Sequence, residues 1–173
     1  MRTRLFVLAI AALVAAAPAH AVINSFAATL FGINEVAPNV GDPDGFGLAT
    51  VVIDVPTNTV SWSILANGIA MPLTGAHIHA GAAGTNGPVI INFNSALTGS
   101  VVDVDAASIT AGNAANFYVN LHNAVHPGGA IRGQLSFVTS TVSAVPEPET
   151  YALMLAGLGV VGFVARRHKQ KSR

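Results

Sequence analysis

Between Val22 and Ala144 the chain alternates apolar and polar side chains with a period of two, in short runs cut by fourteen of its seventeen glycines. That period is the pleat of a strand with one buried face, and it does not suit a helix. From Thr59 to Leu65 one face carries Val60, Trp62 and Ile64 and the other Thr59, Ser61 and Ser63. Phe117, Val119 and Leu121 oppose Tyr118, Asn120 and His122, and Ile131, Leu135 and Phe137 oppose Arg132, Gln134 and Ser136. The β-branched run Gly47 to Val55 is expected to pair with Thr59 to Leu65 as a hairpin across Pro56-Thr57-Asn58. Further strands are expected at Phe26 to Gly32, Gly75 to His79, Val89 to Phe93 and Gly99 to Val104. Only Asp105 to Gly112 reads as helical, with Asp105 as N-cap and Gly112 as stop. Seven or eight short strands so spaced predict an all-β fold, an antiparallel β-sandwich of Ig-like or Greek-key type with one short helix.

The ends obey a different pattern. Of eight basic residues only Arg132 lies between Arg4 and Arg166. Arg2 and Arg4 precede the apolar run Leu5 to Ala17 and then Ala19-His20-Ala21, so residues 1–21 read as a signal helix that signal peptidase removes, with Ala19 and Ala21 as the small residues of the cleavage site. At the other end Tyr151 to Ala165 is uncharged and is followed by Arg166-Arg167-His168-Lys169. As a helix it spans roughly 22 Å against a hydrocarbon core of about 30 Å, a marginal transmembrane anchor whose basic tail stays cytoplasmic. The expected organisation is a signal peptide at 1–21, a β-sandwich at 22–138, an extended Pro-Glu-Pro linker at 139–149 and a hydrophobic helix with basic tail at 150–173. The linker follows from Pro146 and Pro148, which lock φ and disfavour helix before them. The precursor is thus expected to be tethered to the inner membrane with its domain outside.

Charge and composition narrow the partners. Residues 22–144 hold six acids, Glu35, Asp42, Asp44, Asp54, Asp103 and Asp105, against Arg132 alone, which argues against a nucleic-acid ligand and is compatible with cations. The chain has no cysteine, so a disulfide framework, a thiolate metal site and a thiol nucleophile are excluded. Phosphate-binding loops, GxSxG and HExxH are missing, so no enzyme class is indicated.

Two resemblances add to this. Val145-Pro146-Glu147-Pro148-Glu149, a short apolar helix and an Arg-rich end resemble the PEP-CTERM sorting signal of Gram-negative bacteria. That resemblance implies recognition by an exosortase, removal of the tail near the motif and delivery to the cell surface or an exopolysaccharide matrix. Gly32-Ile33-Asn34-Glu35-Val36, then Gly75-Ala76-His77-Ile78-His79-Ala80-Gly81 with Gly87-Pro88-Val89, then Tyr118 to His122 with Pro127 to Leu135, together resemble the CHRD domain, named for chordin, over about Phe26 to Phe137. It implies an extracellular β-domain without a defined chemistry. The expected role is a structural or binding protein of the cell surface; a His-based metal-binding protein and a small metal-dependent enzyme are the alternatives.

The metal reading comes from the histidines. On a strand His77 and His79 share a face with Cβ atoms roughly 6.5–7 Å apart, close enough for one ion. Without thiolates the imidazoles suit Zn, Cu or Ni, with Zn or Cu the expected ion. His122, on the polar face of its own strand, is the expected third ligand, and His126 in the following loop is a further candidate. The same rings could instead lock turns through hydrogen bonds to carbonyls, or act as bases. Arg132 is expected to find a carboxylate, with Glu35 as its partner in a structural ion pair. Asp42-Pro43-Asp44-Gly45 lacks the carboxylates of a calcium loop and reads as an Asx turn.

Overall fold

The computed structural model of the chain describes residues 19–145 and 148–171. Residues 1–18 of the expected signal helix and two residues of the sorting motif, Pro146 and Glu147, therefore lie outside the described residues; Ala19 to Ala21, its expected end, open a strand instead, Val145 ends a strand and Pro148 begins a helix. The β-domain contains β1 (Ala19–Phe31), β2 (Phe46–Asp54), β3 (Thr59–Asn67), β4 (Leu73–Ala80), β5 (Val89–Asn92), β6 (Thr98–Val102), β7 (Phe117–Asn123), β8 (Ile131–Gln134) and β9 (Ser136–Val145). Short 3-10 turns occur at Gly32–Asn34, Val104–Ser108 and Ala114–Asn116, and α1 (Pro148–Lys171) follows the domain.

The fold is all-β and antiparallel, and its strands form one continuous sheet in the order β5-β4-β7-β8-β1-β2-β3-β6, with β9 also paired to β1. The expected hairpin of β2 and β3 forms, with Asp54 opposite Thr59, and Asn58 supplies the left-handed residue of its turn with φ 53°. The sheet curls until its two ends meet. Trp62 of β3 stacks on Phe93, just past β5, with centroids 4.2 Å apart and planes 9° from parallel. The indole N–H donates to the Ala96 carbonyl at 2.9 Å, and Ile64 N–H to that of Leu97 at 2.8 Å. Inside the curl lie Phe26, Leu30, Val51, Ile53, Val60, Ile78, Ile91, Val119, Leu121 and Ile131, one side chain in two along each strand, as the alternation requires.

Three expectations on element boundaries are corrected. The segment after Val102 is a 3-10 turn at Val104–Ser108 rather than a helix to Gly112; its N-cap is Asp103, whose carboxylate accepts from Asp105 N–H at 3.0 Å. Five residues are too few for an α-helical run, and Ile109 is already extended. The strand expected through Ile131 to Phe137 divides at the buried Leu135, whose N–H still reaches Phe117 O at 2.9 Å; beyond it Ser136 bonds to Ala27 O and β9 continues along β1. Residues 139–145 of the expected linker are thus strand, in keeping with their β-branched Thr139, Thr141 and Val142. Pro148 opens α1 instead of extending a linker, because a first-turn proline lacks only an N–H that would be unpaired anyway.

The side chains of α1 from Tyr151 to Phe163 are exposed. Among the described residues no helix is long and apolar enough to cross a membrane.

Removing the ring that closes the curl, by Phe93→Ala, is expected to lower stability by about 3–5 kcal/mol and to change the emission of Trp62, the only tryptophan. Urea unfolding followed by circular dichroism checks this; a loss under about 1 kcal/mol would contradict the closure described.

Candidate metal centre

The pleat that sends Ala76 and Ile78 of β4 into the core turns Gly75, His77 and His79 outward, and that of β7 turns Tyr118, Asn120 and His122 to the same side. The register then sets His77 opposite Asn120, His79 opposite Tyr118 and Gly75 opposite His122. Glycine is required at position 75, since a Cβ there would lie 2.7 Å from His77 Cε1 and 3.2 Å from His122 Cδ2. The missing side chain is the space the two rings occupy. Ring centroids are 5.2 Å apart for His77 and His122, 5.6 Å for His77 and His79 and 5.9 Å for His79 and His122.

One potential ligand nitrogen from each ring lies within 4.8 Å of the other two. His79 Nδ1–H donates to Gly87 O at 2.9 Å and His122 Nδ1–H to Pro127 O at 3.1 Å. Only a protonated Nδ1 can bond a carbonyl, so in both rings the lone pair is on Nε2. Those two Nε2 atoms and Nδ1 of His77 are buried and have no hydrogen-bond partner. Burial, reinforced by His122 and His79, lowers the His77 pKa to about 4. Burial also lowers His79, against the Gly87 bond and with smaller help from His122 and Arg132, and lowers His122 against the Pro127 bond. All three rings are neutral at neutral pH, the form that binds a metal.

Loops cover this face, and Arg132 fastens one of them. Arg132 is 1% exposed; its Nη2 donates to Thr85 O at 2.7 Å, Ala82 O at 3.2 Å and Gln134 Oε1 at 3.2 Å, and its Nη1 to Asn86 Oδ1 at 3.3 Å. It also lies 3.4 Å above the Tyr118 ring, which stacks on His79 at 4.9 Å and whose hydroxyl oxygen accepts from Gly87 N–H. Arg132 thereby holds the loop whose Gly87 carbonyl orients His79.

The expected pair of Glu35 and Arg132 is not formed. Arg132 has carbonyls and amides for partners, while Glu35 Oε2 receives only Asn120 Nδ2 at 3.5 Å and Oε1 has no partner. Burial raises the Glu35 carboxyl to about 7, against the fields of Arg132 and His126 and the Asn120 bond. His126 does not join the cluster either. Its Nδ1 bonds Val40 O at 2.8 Å and its Nε2 lies 3.7 Å from Asp42 Oδ2, because the loop carrying it folds toward residues 40–42. The Asx reading at Asp42 agrees with Asp44 N–H on Asp42 Oδ1 at 3.3 Å. Asn120, Tyr118, Gly75, Gly87 and Pro127 complete the site; the alternation placed Tyr118 and Asn120 on the polar face, but no sequence signal brings Gly87 or Pro127 to a ring.

The family model of the CHRD domain matches residues 26–135. The chain belongs to the CHRD family. Its three marked segments supply the layer just described: Glu35 from the first, His77, His79 and Gly87 from the second, Asn120, His122 and Arg132 from the third. The PEP-CTERM protein-sorting motif matches residues 144–169, which marks an exported protein of Gram-negative bacteria processed by an exosortase. No curated protein and no solved structure matches the chain.

Between 6.5 and about 4 the folded CHRD domain binds fewer protons at His77 than the unfolded chain, so this ring contributes stability that is lost as pH falls through that window. Glu35 works oppositely, binding an extra proton when folded between 4.5 and about 7. In the metal-free protein the His77 Cε1–H resonance is expected to titrate near 4 by NMR; a midpoint at its ordinary 6.5 would contradict the burial described.

Proposed function

We propose that the CHRD domain is a surface-displayed metal-binding module in which His77, His79 and His122 hold one Zn or Cu ion. Two observations carry this reading: one potential ligand nitrogen from each of the three imidazoles lies within 4.8 Å of the other two, and each ring has one buried nitrogen without a hydrogen-bond partner. A buried polar atom without a partner costs about 1–3 kcal/mol, and turn-locking hydrogen bonds account for only the Nδ1 atoms of His79 and His122. An ion about 2.0–2.1 Å from each nitrogen would draw the rings together and satisfy all three. The backbone carbonyls behind two of the rings are the support that metal-binding imidazoles ordinarily have. With imidazole ligands alone, copper binds more strongly than zinc, so metal supply decides occupancy.

The sorting tail delivers the module. In this reading signal peptidase removes residues 1–21, α1 tethers the precursor transiently at the inner membrane, and exosortase cleavage releases the domain to the cell surface and its exopolysaccharide. The matrix role and the metal role are compatible, since a binding site is of use where the domain is displayed.

The full chain without a His tag is expected to carry about one equivalent of Zn or Cu by mass spectrometry, and the His77→Ala/His79→Ala variant less than about a tenth of that. Equal metal in both would overturn the centre. In cell fractionation the protein is expected in the exopolymer fraction; recovery as a freely soluble periplasmic protein after tail removal would overturn the matrix placement.

A further inference from the structure

The histidine nitrogens are not the only polar atoms without partners on this face. Of seven buried unpartnered side-chain atoms in the described residues, five belong to it: the three ring nitrogens, Asn120 Oδ1 and Glu35 Oε1. Asn120 lies directly opposite His77 on the neighbouring strand, with Tyr118 and His122 two residues to either side, so it borders the space between the rings. Its amide is oriented by Glu35. The Nδ2 end donates to Glu35 Oε2, which leaves Oδ1, an acceptor only, as the free end. Glu35 is itself seated against Gly129, at φ 142°, where a Cβ would come 2.5 Å from its carboxyl carbon. A glycine so placed makes room for the carboxyl group.

We infer that the metal keeps an open fourth position for a water molecule, that Asn120 Oδ1 accepts a hydrogen bond from this water, and that Glu35 is the positioning residue that aims the amide. This rests on the three-histidine metal reading and deepens it. Zinc sites with three protein ligands and one open position are the ones that do chemistry, because the ion lowers the pKa of bound water to near 7. An acceptor beside the fourth position selects a protic ligand over an acceptor-only anion. An ion held by these residues would supply a nucleophile at neutral pH, and an activated ester is a probe for it: water would add to the carbonyl carbon, the bond to the alkoxide would break, and the water's two protons would end on the acid and the alcohol with no change of oxidation state. The groups facing Glu35 are Asn120, Arg132 and His126, and the cation of Arg132 also faces Tyr118 and His79.

The test uses the full chain loaded with Co(II), whose visible spectrum reports coordination, in parallel with the zinc-loaded chain and 4-nitrophenyl acetate. The Co(II) spectrum of the parent is expected to change once with pH, and ester hydrolysis by the zinc form to rise with one midpoint of its own. Glu35→Gln replaces the carboxyl group that takes the Asn120 amide donor with an amide that can itself donate, so Asn120 can turn its own donor toward hydroxide. This favours hydroxide, so the spectral midpoint is expected to fall by about one pH unit. Glu35→Asp keeps a carboxyl group and is expected to move it by less than half as much. Stoichiometric Co(II) with a pH-invariant spectrum, or a midpoint unmoved in Glu35→Gln, overturns this inference alone. Failure of the folded parent to bind Co(II) overturns the metal centre and this inference with it.

Discussion

A single buried guanidinium holds the outer face of this domain together. Arg132 is the only cation between the terminal segments, and a cation removed from water is tolerated only where its donors are satisfied. Two backbone carbonyls, two side-chain amides and the Tyr118 ring satisfy it, and in doing so bind residues 82–86 down onto the sheet. From that anchorage the rest follows in order: Gly87 comes to His79, Tyr118 stacks between the ring and the cation, and the layer above β4, β7 and β8 is withdrawn from water.

Withdrawal from water then sets the chemistry of the groups beneath. Low dielectric disfavours whichever form is charged, so the same burial drives the imidazoles and the carboxyl group in opposite directions on the pH scale and leaves both neutral more readily. Neutral histidines are ligands in waiting, and two of them have their tautomers assigned by carbonyls. The polar layer is incompletely satisfied within the protein, which distinguishes it from the opposite, apolar face of the same three strands. Partly satisfied buried networks are costly, and this one is packed around the rings that the missing side chain of Gly75 admits.

Most of the strands were legible because the period-two pattern is strong in residues such as Val60, Trp62 and Ile64, whose burial follows directly from it. Boundaries were less so. The break at Leu135 depends on β9 leaving β7 for the side of β1, a choice made by a strand more than a hundred residues earlier. The histidine cluster was half legible: one strand places His77 and His79 on one face, but His122 joins them only through the register of β7 on β4. The same dependence explains the misplaced partners. His126 and Glu35 had the right chemistry for their expected roles, and loop paths unavailable to local pattern turned them toward Asp42 and Asn120.

The sequence by itself determined the class of fold, the face on which each strand residue lies, the absence of thiol chemistry and the C-terminal sorting motif, because all of these depend on neighbouring residues and on composition. Only the tertiary structure decided that one sheet curls on itself, that Arg132 is bonded by a loop rather than by Glu35, and that three imidazoles converge. Those outcomes depend on register and on loop closure between distant segments, and no local pattern encodes either.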